Sequence, residues 1–383
     1  MMKFVLNAVA AKKTAFGGFQ VACNFIRATL NDSSIEWFYL LSIDIEEALR
    51  DELPKYFYTN RIYTFPNQPN IRTIFQTNKR INSIISQIMP NVVYSVVAPS
   101  YVTFNCPEVM QCANAWTVVG GVNKYALEIT PFKLKLRRYI IAQLTHWQMR
   151  KTKYFITETQ IAKKCILKTV HTDPDNVCVV SNVLPEKYQK ISVKKEAHDG
   201  YNMVYASSPA YHKDYLILPK VASILVKKYG LRDFKIHYTI PDRALLFPAF
   251  QNAVKEYGVE NYFVNHGIMS QQQLAELFSR CDLGLFPSVL ETFSGTLLEY
   301  MYFGLPIVAS DLDFNKEVAK EAAAFFEPHN AEDFAEKIYT VYSNHNYRDS
   351  LLKEAATRLD YYSNNADKYE EKVNFLRVVA SKM

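Results

Sequence analysis

A chain of 383 residues exceeds what one hydrophobic core usually serves, so two domains of about 180 residues each are the natural division. Apolar residues make up 49%, enough for two cores, and a net charge of +6 is too mild for a nucleic-acid binder; an anionic small molecule or a membrane surface fits it. The six cysteines (Cys23, Cys106, Cys112, Cys165, Cys178, Cys281) form no C-x-x-C pair and no zinc-spaced cluster, so they read as small buried hydrophobes in a reducing compartment.

The first apolar run, Phe4–Ala11, is short for a signal peptide and is followed at once by Lys12 and Lys13; it reads as a buried strand. Apolar runs then alternate with helix-period segments. Phe4–Ala8, Trp37–Leu41, Val92–Val97, Tyr154–Thr157 and Val177–Val180 are predicted strands, with helices Phe19–Leu30, Ile71–Met89 and Phe132–Met149 among them. The polar, lysine-rich segment Pro185–Gly200 is a linker. Strands are expected again at Met203–Ala206, Phe234–Tyr238, Tyr262–Val264, Leu283–Phe286, Ile307–Ala309 and Ala324–Phe326. Helices are expected at Tyr215–Lys228, Gln271–Ser279, Gly295–Phe303 and Ala331–Asn344, and the charged segment Asp367–Met383 reads as a further helix. This alternation predicts an α/β protein with parallel sheets and right-handed crossovers. Domains are expected over 1–187 and 188–365, with the segment 366–383 crossing back to the first.

From Ile129 to Thr157 there is no acidic residue, while Lys133, Lys135, Arg137, Arg138, Arg150, Lys151 and Lys153 are present. Ile140, Ile141, Leu144, Trp147 and Met149 add apolar surface, so the helix reads either as contact with an anionic membrane surface, Lys133, Lys135, Arg137 and Arg138 leading, or as a solvated face of the first domain. No apolar stretch of about 18 residues occurs, so no bilayer span is expected. The chain is expected in the cytoplasm, peripheral to the inner face of the membrane.

Chemistry concentrates in Asp282–Glu317. Strand Leu283–Phe286 ends at Pro287, a loop carries Glu291, and a helix starts near Ser294 or Gly295 and stops at Gly304, with Pro306 beyond. Ligands of open α/β sheets bind where strands end, as this loop does. The amides of Phe293, Ser294, Gly295 and Thr296, at the positive end of the helix dipole, suit a diphosphate. Glu299, one turn further on the same face, suits the hydroxyls of a ribose. Asp311-Leu312-Asp313 resembles a metal-binding Asp-x-Asp but reads as turn and N-cap chemistry.

The string PSVLETFSGTLLEYMYFGLPIVASD resembles the retaining glycosyltransferases of the GT-B fold with a Glu-x7-Glu motif, here Glu291–Glu299. That resemblance implies two Rossmann-like domains with parallel sheets facing across a cleft. It implies a nucleotide-diphosphate sugar donor, a glycan or lipid-linked saccharide acceptor, and a place in bacterial surface polysaccharide synthesis. Glu291 would contact the donor sugar, Glu299 the ribose, and residues 293–296 the pyrophosphate. It further assigns the donor phosphates to Lys213 and to a glycine turn at Gly17 and Gly18, and the base to Gly267; Asn182 matches an asparagine closing the first domain, and Glu317 a glutamate facing the donor. No cofactor or metal is implied, because charge on the leaving diphosphate is met by amides, dipole and Lys213.

Two departures stand out. Ser207 and Ser208 occupy places where the family often has arginine, so charge compensation rests on Lys213 and the amides, with His212 or Arg243 as a further candidate. The family's first-domain histidine has no counterpart between Pro99 and Gly121, where Asn105, Glu108, Gln111 and Asn114 are the polar residues. A nucleotide-sugar epimerase or hydrolase on the same fold, and a non-catalytic binding protein, are the alternative readings.

Overall fold

The structure is a computed structural model that describes residues 1–13, 16–66, 73–119, 123–184, 188, 191, 197–362 and 365–382. The chain forms two compact units: Met1–Gly121, Leu136–Asn182 and Asn365–Met383 make the first, and Val122–Lys135 and Val183–Asn364 the second.

In the first unit seven strands, β1 (Met2–Ala8), β2 (Ile35–Ser42), β3 (Ile62–Phe65), β4 (Val92–Ser95), β5 (Glu108–Gln111), β6 (Tyr154–Thr157) and β7 (Val177–Val179), lie in the order β3-β2-β1-β4-β5-β6-β7. Every pairing is parallel. Phe4, Trp37, Tyr39 and Tyr94 fill the core, where Phe4 and Phe25 meet the Trp37 ring edge-on. Strands β3 and β5 were not expected. Strand β5 begins and ends on buried polar side chains, and β3 sets the half-buried polar Tyr63 and Thr64 between its two buried ends, so neither carries a readable apolar run.

Helix Phe16–Leu30 begins three residues before the expected Phe19, so Gly17 and Gly18 lie in its first turn and not in a preceding loop. The first-turn amides lack an intrahelical acceptor wherever a helix starts, so glycine costs little there. Helix Asn365–Ala380 also packs in this unit. It buries Val373, Leu376 and Val379, and the Tyr369 hydroxyl donates to Asp32 Oδ2 at 2.8 Å.

The second sheet, also wholly parallel, contains β8 (Tyr201–Tyr205), β9 (Phe234–Tyr238), β10 (Phe263–Asn265), β11 (Leu283–Phe286), β12 (Ile307–Ser310) and β13 (Ala323–Phe326) in the order β10-β9-β8-β11-β12-β13. Strand order reverses between β8 and β11, whose crossovers leave in opposite directions and open a crevice at their carboxyl ends. Helix Gly295–Tyr302 follows β11. Its end is a Schellman motif: Leu305 N–H donates to Tyr300 O at 2.9 Å and Gly304 N–H to Met301 O at 3.1 Å, with Gly304 at φ +66°.

Behind that helix the buried Tyr300 ring lies directly over Gly284 of β11. A Cβ there would stand 2.4 Å from the ring, so only glycine fits. The Tyr300 hydroxyl accepts from Ala206 N–H at 2.9 Å and donates to Val204 O at 3.2 Å, tying the helix to the end of β8.

Candidate functional site

Strands β8 and β11 flank the reversal, and the loops that leave them carry Lys213 and Glu291. Lys213 ends the short turn Tyr211–Lys213 after β8, and Glu291 lies in the loop after β11. The structure brings them together: Lys213 Nζ forms an ion pair with Glu291 Oε1, with the side chains only 13% and 11% exposed. Ser288 Oγ donates to the same carboxylate oxygen at 2.7 Å.

The loop is held at several points. Val289 N–H donates to His212 O at 2.8 Å, and Ser310 Oγ at the end of β12 donates to Ser288 O. Asn315 Nδ2 in turn donates to Ser310 O at 3.0 Å and to Ser310 Oγ at 2.8 Å, so buried polar groups from three elements fix the backbone before Glu291.

Four residues beyond Glu291 the helix begins. Ser294 is its N-cap but makes no capping hydrogen bond, and Gly295 is exposed with open space where a Cβ would stand. The helix front is thus uncapped, with open space beside Gly295, at the positive end of the helix dipole. Thr296 is half-buried, whereas the Phe293 side chain is buried and meets the Tyr362 ring edge-on at 5.6 Å.

Glu299, part-buried as a residue, points its carboxyl into protein. Burial there pushes its pKa up to about 7, with the Tyr188 hydroxyl opposing the shift by hydrogen bonding. Tyr188 is itself buried and packs edge-on against Phe303 at 5.6 Å. It falls within the segment expected to be only a linker. A lone tyrosine in a lysine-rich stretch was the one available signal.

The remaining expected residues are dispersed. Gly267 follows β10 with φ +62° and donates its N–H to Asn265 Oδ1 at 3.1 Å. Gly17 and Gly18 belong to the first unit. Ser208 is exposed and Ser207 half-buried, and Arg243 is exposed. Asp311 pairs with Lys316, and the N-cap of helix Asp313–Ala319 is Leu312, so neither aspartate is the capping residue expected there. Asn182 Nδ2 donates to Glu158 Oε1 at 2.6 Å.

The polar residues expected on the acceptor side serve mainly structure. Glu108 is buried and accepts from Ser95 Oγ at 2.5 Å, Gln111 accepts from Tyr94 and Lys372, and Asn114 caps the helix Ala115–Val118. Helix Phe132–Met149 keeps Lys133 and Arg137 exposed and Lys135 half-buried, while Arg138 lies over the Trp116 ring at 3.9 Å. Among the described residues no group of three or more histidine, cysteine or acidic side chains is arranged to hold a metal ion, and no helix is long and apolar enough to cross a membrane.

Comparisons with known proteins bear on the second half of the chain and on the fold. Residues 177–358 match the family described as glycosyl transferases group 1. A 2-deoxystreptamine N-acetyl-D-glucosaminyltransferase from Niallia circulans is 24% identical over 161 residues, 42% of this chain; the match spans only 40% of that relative's length. The crystal structure of a glycosyltransferase from Rickettsia africae ESF-5 is similar over the full length of both chains, with a TM-score of 0.71 and 17% identity. That of Anabaena HepE in complex with UDP and glucose is similar over 98% of this chain and 99% of its own, with a TM-score of 0.71 and 12% identity. The chain therefore has the GT-B fold, and its residues 177–358 are similar to the family described as glycosyl transferases group 1.

Proposed function

We propose that the chain is a retaining, metal-independent glycosyltransferase that moves a sugar from a nucleotide-diphosphate donor to a glycan or lipid-linked saccharide in the building of a bacterial surface polysaccharide. The observation that carries this reading is the Lys213–Glu291 ion pair at the strand reversal, beside an uncapped helix front at Gly295. In the free protein Glu291 neutralises Lys213. A donor diphosphate takes over the ammonium and the first-turn amides, and it releases Glu291 toward the sugar. The charge that grows on the departing diphosphate then meets a cation, a dipole and preset N–H donors. Glu299, set one turn behind and held by Tyr188 in the free protein, exchanges that contact for the ribose hydroxyls when the donor binds. UDP and glucose in the HepE structure support a sugar nucleotide as the donor class.

The face of helix Phe132–Met149 supports a membrane-borne acceptor. Phe132, Leu136, Tyr139, Ile140, Leu144 and Trp147 form an apolar stripe that stays exposed, Phe132 at 77% and Leu144 at 63%, and the only charges along the helix are basic. An interfacial helix has this make-up. Vesicles with anionic phosphatidylglycerol are expected to sediment the protein and neutral phosphatidylcholine vesicles to leave it in solution, with Leu144→Ser/Trp147→Ser reducing the bound fraction. Equal behaviour on both vesicles would remove the membrane from this reading.

A thermal-shift screen over nucleotide sugars tests the donor site. Saturation at a hundred times the Kd adds roughly 2.7 kcal/mol to wild-type stability. Glu299→Ala is expected to abolish the shift for the true donor, and Glu291→Ala to keep the shift and lose turnover. Full activity in both variants would reject the assignment, and hydrolysis of the donor without transfer would favour the hydrolase reading.

A further inference from the structure

The residue that follows Lys213 joins a second set of contacts. Asp214 adopts φ +48° and His329 φ +64°, a left-handed conformation uncommon for non-glycine residues, and the two side chains meet with His329 Nδ1 2.7 Å from Asp214 Oδ2. The other ring nitrogen, Nε2, lies 3.0 Å from the Tyr125 carbonyl oxygen. Tyr125 belongs to helix Lys124–Glu128, which packs in the second unit although it precedes β6 in sequence. The N-cap of that helix, Asn123, accepts from Ala126 N–H at 2.9 Å and donates through Nδ2 to Val289 O at 2.6 Å, two residues before Glu291. Helix Lys124–Glu128 is thus fastened at one end to the Glu291 loop and, through His329, to the turn that carries Lys213.

The hydrogen bonds of His329 fix its proton count. The carbonyl of Tyr125 can only accept, so Nε2 carries a proton. A close contact between Nδ1 and the carboxyl of Asp214 then needs a second proton, on one side or the other. The couple therefore holds one proton more than a neutral imidazole and a free carboxylate hold together. Burial alone would lower the His329 pKa, but Asp214 outweighs it and the net direction is up. Burial raises the Asp214 pKa in turn, against the His329 bond. Among the described residues, the charged groups that face the ring are Asp214 and, at 3.9 Å from Nε2, Glu128, and the titratable Tyr125 packs its ring edge-on against it at 5.7 Å.

We propose that His329 is a positioning residue for the Lys213–Glu291 pair, acting through Asp214 and through helix Lys124–Glu128, and that it does so only while the His329–Asp214 couple keeps its shared proton. The proposal rests on the reading of that pair as donor-binding. Loss of the proton leaves two acceptors facing each other, either at Nδ1 or at Nε2, and one end of the fastening opens. The turn that carries Lys213 is then free to shift.

Donor turnover measured across pH for wild type, Asp214→Asn and His329→Asn tests it, with Tm recorded for each; asparagine tolerates the left-handed backbone at both positions. Wild-type kcat/KM is expected to fall on the alkaline side. Asp214→Asn keeps an acceptor for Nδ1–H but removes the charge that raises His329, so the alkaline limb is expected to move to lower pH. His329→Asn is expected to lose that limb and to lower kcat/KM about tenfold or more at every pH, as misplacement of reacting groups does. If His329→Asn does not fold, the near-isosteric Asp214→Asn decides alone. Wild-type profiles in the folded variants would overturn the positioning role and leave the donor site standing. A wild type that neither binds nor turns over any nucleotide sugar would overturn the donor site, and the positioning role with it.

Discussion

Glu299 sits where water no longer stabilises its charge, and its ionisation is therefore linked to folding. Its pKa in the folded chain is about 7 against an ordinary 4.5, so the native state holds a proton that the unfolded chain has released. The resulting stabilisation is complete below about pH 4.5 and is lost as pH rises through about 7. Glu299→Gln removes the ionisation and keeps the shape. We expect the ligand-free variant to be more stable than wild type at pH 8, by on the order of 1–3 kcal/mol, with the gap closing at pH 5. Urea midpoints at the two pH values measure this; a gap that did not depend on pH would mean the carboxylate is solvated. The Lys213–Glu291 pair sets two opposite charges against each other. Lys213→Ala leaves Glu291 enclosed with only Ser288 as a close polar partner among the described contacts, which is expected to cost roughly 1–3 kcal/mol in a denaturant melt and to remove donor turnover. The Glu291–Glu299 spacing was legible in the sequence because a helix start and its carboxylates lie within one short string. Tyr188, Asp214 and His329 were not legible: each acquires its partner from a distant part of the chain.

Elements were legible where their apolar run was long or their ends were marked. Strands β6, β9 and β11 and helices Phe132–Met149 and Gln271–Ser279 coincide with the expected ranges. The last of these starts with a full capping box, Ser270 with Gln273, and apolar side chains in a run or in alternation mark each strand. Helix Phe247–Glu256 was missed. It has no side-chain cap, and Pro248 near its start resembles a break in the pattern although it is compatible with a first turn. Glycines show the same division. Gly304 announces a helix end by its place in Gly-Leu-Pro, whereas the reason for Gly284 exists only once the Tyr300 ring is folded against it. Gly284→Ala is expected to cost about 1–3 kcal/mol through overpacking, read as a lower urea midpoint. Tyr300→Phe keeps the ring but strands the Ala206 N–H, and it is expected to lose a similar amount. A neutral Gly284→Ala would show that β11 and its helix can separate at no cost.

At the scale of the whole chain, alternation of strands and helices foretold two parallel α/β sheets, and the segment 366–383 was expected to return to the first domain, but nothing foretold that the second unit recruits a stretch from far upstream. Contacts of that kind leave no local pattern. The first unit takes in helix Asn365–Ala380, and the second takes in Val122–Lys135. Removal of residues 365–383 is expected to uncover the apolar surface under Val373, Leu376 and Val379 and to turn a cooperative melt into two transitions, the earlier one belonging to the first unit; calorimetry measures this. A single unchanged transition would show that the helix adds little. The same recruitment dictates a timetable during translation. Strands β1 to β7 leave the ribosome long before residues 365–380 are made, so the first half to be synthesised is the last to be sealed, and its hydrophobic side waits open while the entire second sheet is produced. A nascent chain in that condition is a natural client for a chaperone. A stalled ribosome or a premature stop shortly before codon 365 would release a second unit complete in its own segments and a first unit with the apolar surface under Val373, Leu376 and Val379 left uncovered.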